Sequence, residues 1–519
     1  MTKLIFLLIS MMAGPVSAIA ADSLPDKEPA TALSSTSVRT ASSAITGESS
    51  TGESSAVSQL KAHFKPYGFI RNYFAYDSRE CVSGTGELYN FLPKDNNFVE
   101  GVDLNRQASF KFLSLTSRLG LDVVGYQVGK THFGAKVEAD FYTGLSGSSK
   151  VSGTANCRLR QAYLTLGWED LPMSGNQTAQ VGLKVGQAWH PMAVDMPDIF
   201  SLSSGAPFGP FSRTPQFTMD ASLGKHWIIS ASAIWQMQYT STGPAGASAD
   251  YIKYSCTPEM YAGISYRTGG FLARLGLDML SIKPRIHGNR TVTETTSEGT
   301  ETRNITVKVK DRLTTLSPFI YLQYKKGLFA IKAKSIFSQA GEHMNLMSGY
   351  GVSNINEDGS WDYTPLHTSS SWISLSYGKK VKGVLFAGYV QNLGTFKPLA
   401  DLTQQYPGQT WMKGDEVISV EEAKNYSTVF FSKSGFANIN SMVRVTPTIM
   451  YNIGKFTLGL EYEMTAVNYG EDITDIKYSA NGSDYTSITR CVSSKNGLSK
   501  SGLHWVCNHR VQLMMKFSF

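Results

Sequence analysis

The chain has 519 residues, with 48 Lys and Arg against 41 Asp and Glu, and therefore a net charge of +7. After the first twenty residues no run of about 18 apolar residues occurs, which excludes membrane-spanning helices. Glycine and aromatic residues are abundant, with 47 Gly, 25 Tyr and 26 Phe. The mean hydropathy of −0.16 is still compatible with transmembrane strands, because only every second residue of such a strand faces lipid.

The amino-terminal part of the sequence predicts export. Residues 1–20 have the pattern of a secretory signal peptide, with Lys3 in the charged region, an apolar region from Leu4 to Val16, and a small-x-small cleavage site. Residues 21–62 are rich in Ser and Thr with almost no aromatic residue, so we expect a flexible periplasmic tether. Residues 63–519 are predicted to form one domain.

The five cysteines are predicted to have a structural role. An oxidising compartment permits disulfides, and Cys491 with Cys507 could close one loop, but the odd number leaves at least one thiol unpaired or intermolecular. No C-x-x-C or Cys/His spacing indicates a metal site, and no cofactor is expected. The five residues are Cys81, Cys157, Cys256, Cys491 and Cys507.

From residue 65 onward, apolar and polar residues alternate in segments that are separated by turn signals, which predicts β-strands. Short Gly/Lys turns follow most even-numbered segments, and long polar loops follow the odd-numbered ones. The sixteen predicted strands are 65–78, 109–126, 131–143, 158–168, 180–189, 216–222, 227–239, 259–267, 271–282, 314–324, 328–339, 371–377, 384–393, 441–452, 456–467 and 510–519.

This alternation of connections predicts an all-β fold, a transmembrane antiparallel β-barrel of about 16 strands. Outer-membrane barrels have an even number of strands, short periplasmic turns and long extracellular loops. A secreted β-sandwich or propeller has no reason to alternate loop lengths in this way. The last strand, Arg510–Phe519, resembles the closing strand of a bacterial outer-membrane barrel, where a terminal Phe is the usual signature.

The charged face of each strand is predicted to line a water-filled lumen rather than a packed core. Arg or Lys facing lipid at mid-bilayer costs about 2–4 kcal/mol, so these side chains must point inward. Six acidic residues share that face, and the small excess of positive charge predicts a weak preference for anions. The acidic residues are Asp122, Glu138, Asp140, Asp278, Glu461 and Glu463. The predicted cations of the pore wall are Arg118, Lys136, Lys184, Arg267, Arg274, Lys332, Lys334, Arg444 and Lys516.

The insertion after the fifth strand, residues 186–216, reads GQAWHPMAVDMPDIFSLSSGAPFGPFSRTPQ. Its position and its content of Asp, Gly and Pro resemble the third loop of 16-stranded general porins, which folds into the barrel and narrows the pore. The segments LRQAY (159–163), GQAW (186–189) and RTPQ (213–216) resemble the DcaP-type family of trimeric outer-membrane porins. The sequence departs from that family in lacking a predicted coiled coil before the barrel.

The resemblance implies a pore-constricting loop, in which Asp195, Asp198 and Arg213 are the candidate constriction residues. We expect an outer-membrane porin for passive diffusion of small hydrophilic solutes, with anions weakly preferred. Its expected partners are outer-membrane lipid, lipopolysaccharide and two further copies of the chain in a homotrimer, and no nucleic acid. A surface adhesin or antigen that acts through the long loops is the main alternative. A barrel enzyme is a weaker one, because the sequence contains no G-x-S-x-G or H-E-x-x-H motif.

Overall fold

The computed structural model describes residues 63–519 except 85–86, 115, 143–155, 174–177, 297–298, 433–437, 472–473 and 500. The predicted signal peptide and tether, residues 1–62, lie outside the described residues. Sixteen antiparallel strands form a closed barrel, in which each strand pairs with its neighbours along the chain and the last pairs with the first. The predicted fold class and strand number are therefore confirmed.

We number the barrel strands along the chain; the second consists of two segments, both paired with the first. They are β1 (Phe64–Asp77), β2 (Ser109–Leu113 and Arg118–Val128), β3 (Thr131–Tyr142), β4 (Asn156–Pro172), β5 (Thr178–Trp189), β6 (Arg213–Leu223), β7 (Trp227–Ile234), β8 (Glu259–Thr268), β9 (Phe271–Ile282), β10 (Leu313–Lys326), β11 (Phe329–Gln339), β12 (Trp361–Gly378), β13 (Val381–Gly394), β14 (Ile439–Ile453), β15 (Phe456–Tyr469) and β16 (His504–Ser518).

All sixteen predicted strands overlap the observed ones, and the larger errors lie at the ends that face the long loops. β12 begins at Trp361 and β16 at His504, ten and six residues before their predicted starts of 371 and 510. β7 ends at Ile234 instead of residue 239. In β12 and β16, backbone pairing therefore continues beyond the segment in which alternation marks the strand, whereas in β7 pairing stops before the alternation does.

The outer surface of the barrel is apolar, as the predicted face assignment requires. On β9, Leu275 and Leu277 are 53% and 43% exposed, whereas Asp278 on the opposite face is 1% exposed. Trp227 and Ile229 on β7 are exposed in the same way. Side chains exposed in this way would contact the hydrocarbon of a bilayer.

The long connections carry their own secondary structure and small hydrophobic cores, one of which packs Trp411, Ile418 and Cys491. The described helices of these connections are short, and none is long and apolar enough to cross a membrane. The loop strands are Cys81–Gly84, Tyr89–Pro93, Phe98–Val99, Val102–Asp103, Thr242–Gly243, Gly246–Ala247, His287–Thr296, Gly299–Lys308, Gly349–Ile355, Thr410–Lys413, Glu416–Ile418, Ser427–Phe431, Thr474–Ser479 and Thr486–Val492; the helices are Pro191–Ala193, Asp250–Ser255, Glu342–Met344, Leu402–Gln405 and Val420–Ala423.

The cysteines do not form the disulfide considered from the sequence. All five are free thiols. Cys491 is buried in the loop cluster just described, whereas Cys507 lies on β16 in the barrel wall. The Cys491–Cys507 bridge, which the sequence left open, is therefore not formed, because the two residues belong to different structural units.

Barrel closure occurs between β16 and β1, as predicted for the terminal strand. Arg510 and Asp77 face each other across this seam, with Nε to Oδ1 and Nη2 to Oδ2 both at 2.7 Å. At the other end, the Phe519 amide donates to the carbonyl oxygen of Gly68 at 3.0 Å. Both ends of the seam are therefore fixed by specific contacts in addition to the backbone ladder.

Candidate pore constriction

Residues 186–189 and 213–216 of the predicted insertion belong to β5 and β6. The remaining residues, 190–212, cross the lumen, and the name insertion is used for them from here on. The ends of the insertion are adjacent, because β5 and β6 pair directly up to Trp189 and Arg213. On the far side, the Phe200 amide donates to Glu461 at 3.0 Å and its carbonyl accepts from the Tyr73 hydroxyl at 2.9 Å. The insertion therefore spans from β5 and β6 to β15 and β1, as the resemblance to porin loops implied.

Two aspartates attach the insertion to cations of the wall. Asp195 Oδ2 lies 2.6 Å from Arg274 Nη1 on β9. Asp198 lies between two ammonium groups, at 2.5 Å from Lys332 Nζ on β11 and 3.5 Å from Lys382 Nζ on β13. Arg274 and Lys332 are among the predicted wall cations, whereas Lys382 is not, and both aspartates are among the candidate constriction residues.

The surroundings of Asp198 make it an anion over almost the whole pH range. Burial alone would raise its pKa, but the charges of Lys332 and Lys382 and a hydrogen bond from Ser376 lower that pKa to about 2. The Ser376 hydroxyl donates to Oδ2 at 2.9 Å. The carboxylate is thus a fixed negative charge that neutralises part of the basic wall.

Arg213 does not belong to the constriction, and that prediction is wrong. It is the first residue of β6 and is fully buried. Its guanidinium lies over the Trp189 ring at 4.8 Å and donates to the Tyr239 hydroxyl at 2.9 Å. β6 starts three residues before its predicted start, so Arg213 supports the wall where the insertion returns to it.

Arg444 and Lys334 point inward as predicted, but they are not exposed to a water-filled lumen. Arg444 is fully buried and donates to the carbonyl oxygens of Ala206 in the insertion and Phe91 in the first loop, at 3.0 and 2.8 Å. The Lys334 ammonium donates to the carbonyl oxygen of Met192. The prediction of an open wall fails here, because the insertion covers these side chains and uses them as hydrogen-bond donors.

Glycines of the wall make room for aromatic side chains of the insertion. A Cβ added to Gly388 on β13 would lie 2.5 Å from the Phe208 ring, and one added to Gly459 on β15 would lie 2.8 Å from the Phe200 ring. The same Phe208 packs edge-on against Phe386, with ring centroids 6.0 Å apart. The insertion therefore fits a surface that the wall shapes for it.

The first loop also enters the barrel, which the sequence analysis did not foresee. The loop strand Tyr89–Pro93 is buried throughout. Asn90 Nδ2 donates to Glu463 at 3.0 Å, and Arg510 donates to the carbonyl oxygen of Leu88 at 3.1 Å. The segment LYNFL (88–92), in which four of five residues are apolar or aromatic inside a polar loop, was the signal that could have revealed it.

The remaining predicted wall cations occupy the inner faces of β2, β3, β5, β8 and β16 and are partly exposed. Arg118 forms an ion pair with Glu138 at 3.4 Å, and Lys136 forms one with Asp122 at 2.8 Å.

Lys516 on β16 lies opposite Arg71 on β1 in the strand register, and Arg71 is a cation that was not predicted. Neither Lys516 nor Arg71 has an acidic ion-pair partner among the described residues. Lys184 lies 5.5 Å from the Tyr163 ring, and Arg267 lies near the short-turn end of β8.

A separate buried cluster joins the start of the insertion to the wall. His190 Nε2 and His343 Nε2 each lie 2.9 Å from Glu259 Oε1, and Asp278 Oδ1 lies 3.8 Å from His190 Nε2. The donor atoms of His190, Glu259 and Asp278 all lie within 4.8 Å of one another, an arrangement that could hold a metal ion. No local pattern in the sequence brings these four residues together.

A closed 16-stranded antiparallel barrel, apolar outside and crossed by an inward-folded loop after its fifth strand, is the architecture of an outer-membrane porin. This architecture agrees with the predicted localisation in the outer membrane. No protein-family model and no curated protein sequence matches the chain.

Solved structures with this architecture are similar to the chain. The outer-membrane channel DcaP of Acinetobacter baumannii is 16% identical and aligns over 88% of this chain and 98% of its own, with a TM-score of 0.51. An anion-selective porin from Comamonas acidovorans is 12% identical over 88% of this chain and 99% of its own, with a TM-score of 0.43. OmpT of Vibrio cholerae is 11% identical over 88% and 97%, also with a TM-score of 0.43. The expected resemblance to DcaP is thus confirmed for the fold.

Proposed function

We propose that the protein is an outer-membrane porin whose water-filled channel lets small hydrophilic solutes diffuse passively. The observation that carries this proposal is the insertion, which crosses the lumen and is attached to the opposite wall through Phe200, Glu461 and Tyr73. A loop held in this way narrows the channel through the barrel without blocking it. Size and charge then select the solute, as in other channels.

A weak preference for anions is the second part of the proposal. Lys516 and Arg71 are partly exposed inner side chains without an acidic ion-pair partner among the described residues, and Arg118 lies close to both. Several other wall cations are neutralised, among them Arg274 and Lys332, which pair with the insertion. The excess of positive charge is therefore small and local, and we expect a modest selectivity.

Planar-bilayer recording of the refolded chain tests both parts. We expect stable channels that conduct potassium chloride, and a reversal potential in a salt gradient with the sign of a modest anion preference. Cation selectivity would contradict the charge argument while leaving the porin proposal intact. A correctly folded barrel that conducts no ions would contradict the porin proposal itself.

The domain boundaries are also part of this proposal. We infer that residues 1–20 are removed on export, and that residues 21–62 remain as a periplasmic tether. Mass spectrometry of the amino terminus of protein purified from outer membranes would test this, with a start at residue 21 or within two residues of it expected.

A further inference from the structure

We infer that His190, His343, Glu259 and Asp278 form a binding site for a divalent transition-metal ion with zinc-like ligand preferences. Two imidazoles and two carboxylates are a donor set that zinc accepts in proteins. The inference does not depend on conduction, because it concerns how the insertion is fastened to the wall.

The spacing of the donor atoms fits a single small ion. Zinc binds nitrogen and oxygen ligands at about 2.0–2.2 Å in a tetrahedron, which places neighbouring donors about 3.3 Å apart. Glu259 Oε1 lies 2.9 Å from both imidazole Nε2 atoms, and Asp278 Oδ1 lies 3.8 Å from His190 Nε2. His190, Glu259 and Asp278 therefore place three donor atoms within 4.8 Å of one another, and His343 adds a fourth donor 2.9 Å from Glu259 Oε1.

Unpaired atoms at the cluster point to a missing ligand. Glu259 Oε2 and Asp278 Oδ1 are buried and receive no hydrogen bond from an amine, amide or hydroxyl group of the described residues. Both residues are at most 1% exposed. Buried polar atoms are almost always paired in folded proteins, so these two oxygens need either a proton shared between the carboxyls or a bound cation.

The charge balance points the same way. Glu259, Asp278 and the neighbouring Glu342 are all buried. Among the described residues, no Lys or Arg forms an ion pair with any of the three carboxyls, whose recorded charge partners are His190 and His343. Acidic side chains buried together are costly as anions, so they are either held protonated or compensated by a cation. A divalent ion supplies that charge directly.

Access to the site is available from the loop side of the barrel. A cavity of about 690 Å³ is lined by loop residues that include Glu342 and His343. Its other walls include Tyr239, Phe430 and Tyr478. Of the four cluster residues, His343 is the one that lines this cavity.

Binding would change one existing contact. His190 Nδ1 accepts a hydrogen bond from the Met192 amide at 3.2 Å. With a metal on Nε2, the ring proton of a neutral imidazole moves to Nδ1, and this long hydrogen bond is given up. The ion in return links the start of the insertion, β8, β9 and the loop after β11.

Equilibrium titration of the full refolded chain tests the inference. After treatment with EDTA we expect one zinc ion to bind per chain in isothermal titration calorimetry. Glu259→Gln and His190→Gln should each weaken that binding at least tenfold. His509→Gln is the control, because His509 lies 3.6 Å from the Cys507 thiol on the outer part of β16 and is the obvious adventitious site.

The outcomes are distinct. Absence of zinc binding by the wild type, or loss of binding in His509→Gln with retention in Glu259→Gln, would overturn the inference. If the Gln variants do not fold, zinc-edge X-ray absorption of the wild type decides: imidazole and oxygen ligands without sulfur are expected, and a sulfur ligand would refute the site. Channel recording of the EDTA-treated protein tests the porin proposal separately.

Discussion

Ion pairs attach the insertion to the wall, and the ion pairs of Asp198 can be tested directly by mutation. This carboxylate lies between Lys332 and Lys382, whose side chains are 13% and 25% exposed. These side chains are mostly shielded from solvent, so screening is incomplete, and the lowered pKa of Asp198 corresponds to about 2 kcal/mol of stabilisation. The same pairs also set the charge that a solute encounters.

Asp198→Asn should therefore change both selectivity and stability. Removing the carboxylate leaves Lys332 and Lys382 uncompensated, and we expect a reversal potential displaced further toward anions. The free energy of unfolding should fall by about 2 kcal/mol. Glu357→Gln, an exposed loop residue, removes one negative charge elsewhere and is the matched control. Equal displacement in both variants would show that only net charge matters.

The pH dependence follows from the lowered pKa of Asp198. Its pKa falls from an ordinary value of 3.8 to about 2 in the folded protein, so its contribution to stability is complete above pH 3.8 and is lost as the pH falls toward 2. We expect single-channel conductance to be insensitive to this group between pH 7 and 4. Below pH 4 the insertion should loosen in the wild type. Asp198→Asn should lack this component, and an unchanged acid profile in that variant would contradict the assignment.

At the scale of elements, the insertion and β13 are shaped for each other. Phe208 occupies the space that a side chain at Gly388 would need. Overpacking a well-filled site costs about 1–3 kcal/mol. The backbone of β13 is hydrogen-bonded to two neighbouring strands, whereas the insertion is held mainly by side-chain contacts. A side chain added at Gly388 should therefore move the insertion and not the strand.

Gly388→Val should therefore displace the insertion and raise single-channel conductance. Gly383→Val is the matched control on the same strand, because a Cβ added there has no neighbour within 4 Å. We expect the control to conduct like the wild type. Both variants should migrate as folded barrels before heating. An increase of the same size in both would argue against a specific contact with Phe208.

The terminal strand gives a prediction about assembly. Phe519 donates its amide to Gly68, and a Cβ on Gly68 would lie 2.6 Å from the Phe519 ring. Deleting Phe519 removes both contacts at the end of the closing seam. We expect much less heat-modifiable barrel in the outer membrane with export unchanged, as measured by electrophoresis of membrane and periplasmic fractions. Normal barrel levels would refute this role.

At the scale of the whole molecule, the barrel is a polar interior enclosed by an apolar surface, and two loops fill part of that interior. Arg444 connects both loops with the wall, since it donates to Ala206 of the insertion and to Asn90 and Phe91 of the first loop. The lumen is therefore neither a uniform water-filled tube nor a packed core. Its charged side chains divide into buried ones that hold the loops and partly exposed ones that face solutes.

The oligomeric state is a property of the whole molecule. We propose a homotrimer, in which three channels open and close separately. Single-channel recordings should then show closures in three equal steps, and crosslinking should yield a trimeric band that disappears on boiling. Single-step closures together with a monomeric mass in native mass spectrometry would contradict the trimer.

The sequence by itself determined the barrel. Period-two alternation identified all sixteen strands and, where charged residues mark one face, the lipid-facing side, because a bilayer imposes the same rule on every residue of a spanning strand. The strand pattern is local and can be read within about ten residues of chain. Asp195 and Asp198 became candidates only through the resemblance to the inward-folded loop of porins.

Only the tertiary structure decided which inner charges are open to solutes and which are buried. Arg213 and Arg444 look like any other inward cation in the sequence, yet each is enclosed by partners far away along the chain. The cluster of His190, Glu259, Asp278 and His343 draws on four separate segments for the same reason. Contacts of this kind form when closure of the barrel brings distant loops together inside the lumen. The hydrophobic periodicity of the sequence carries no information about them.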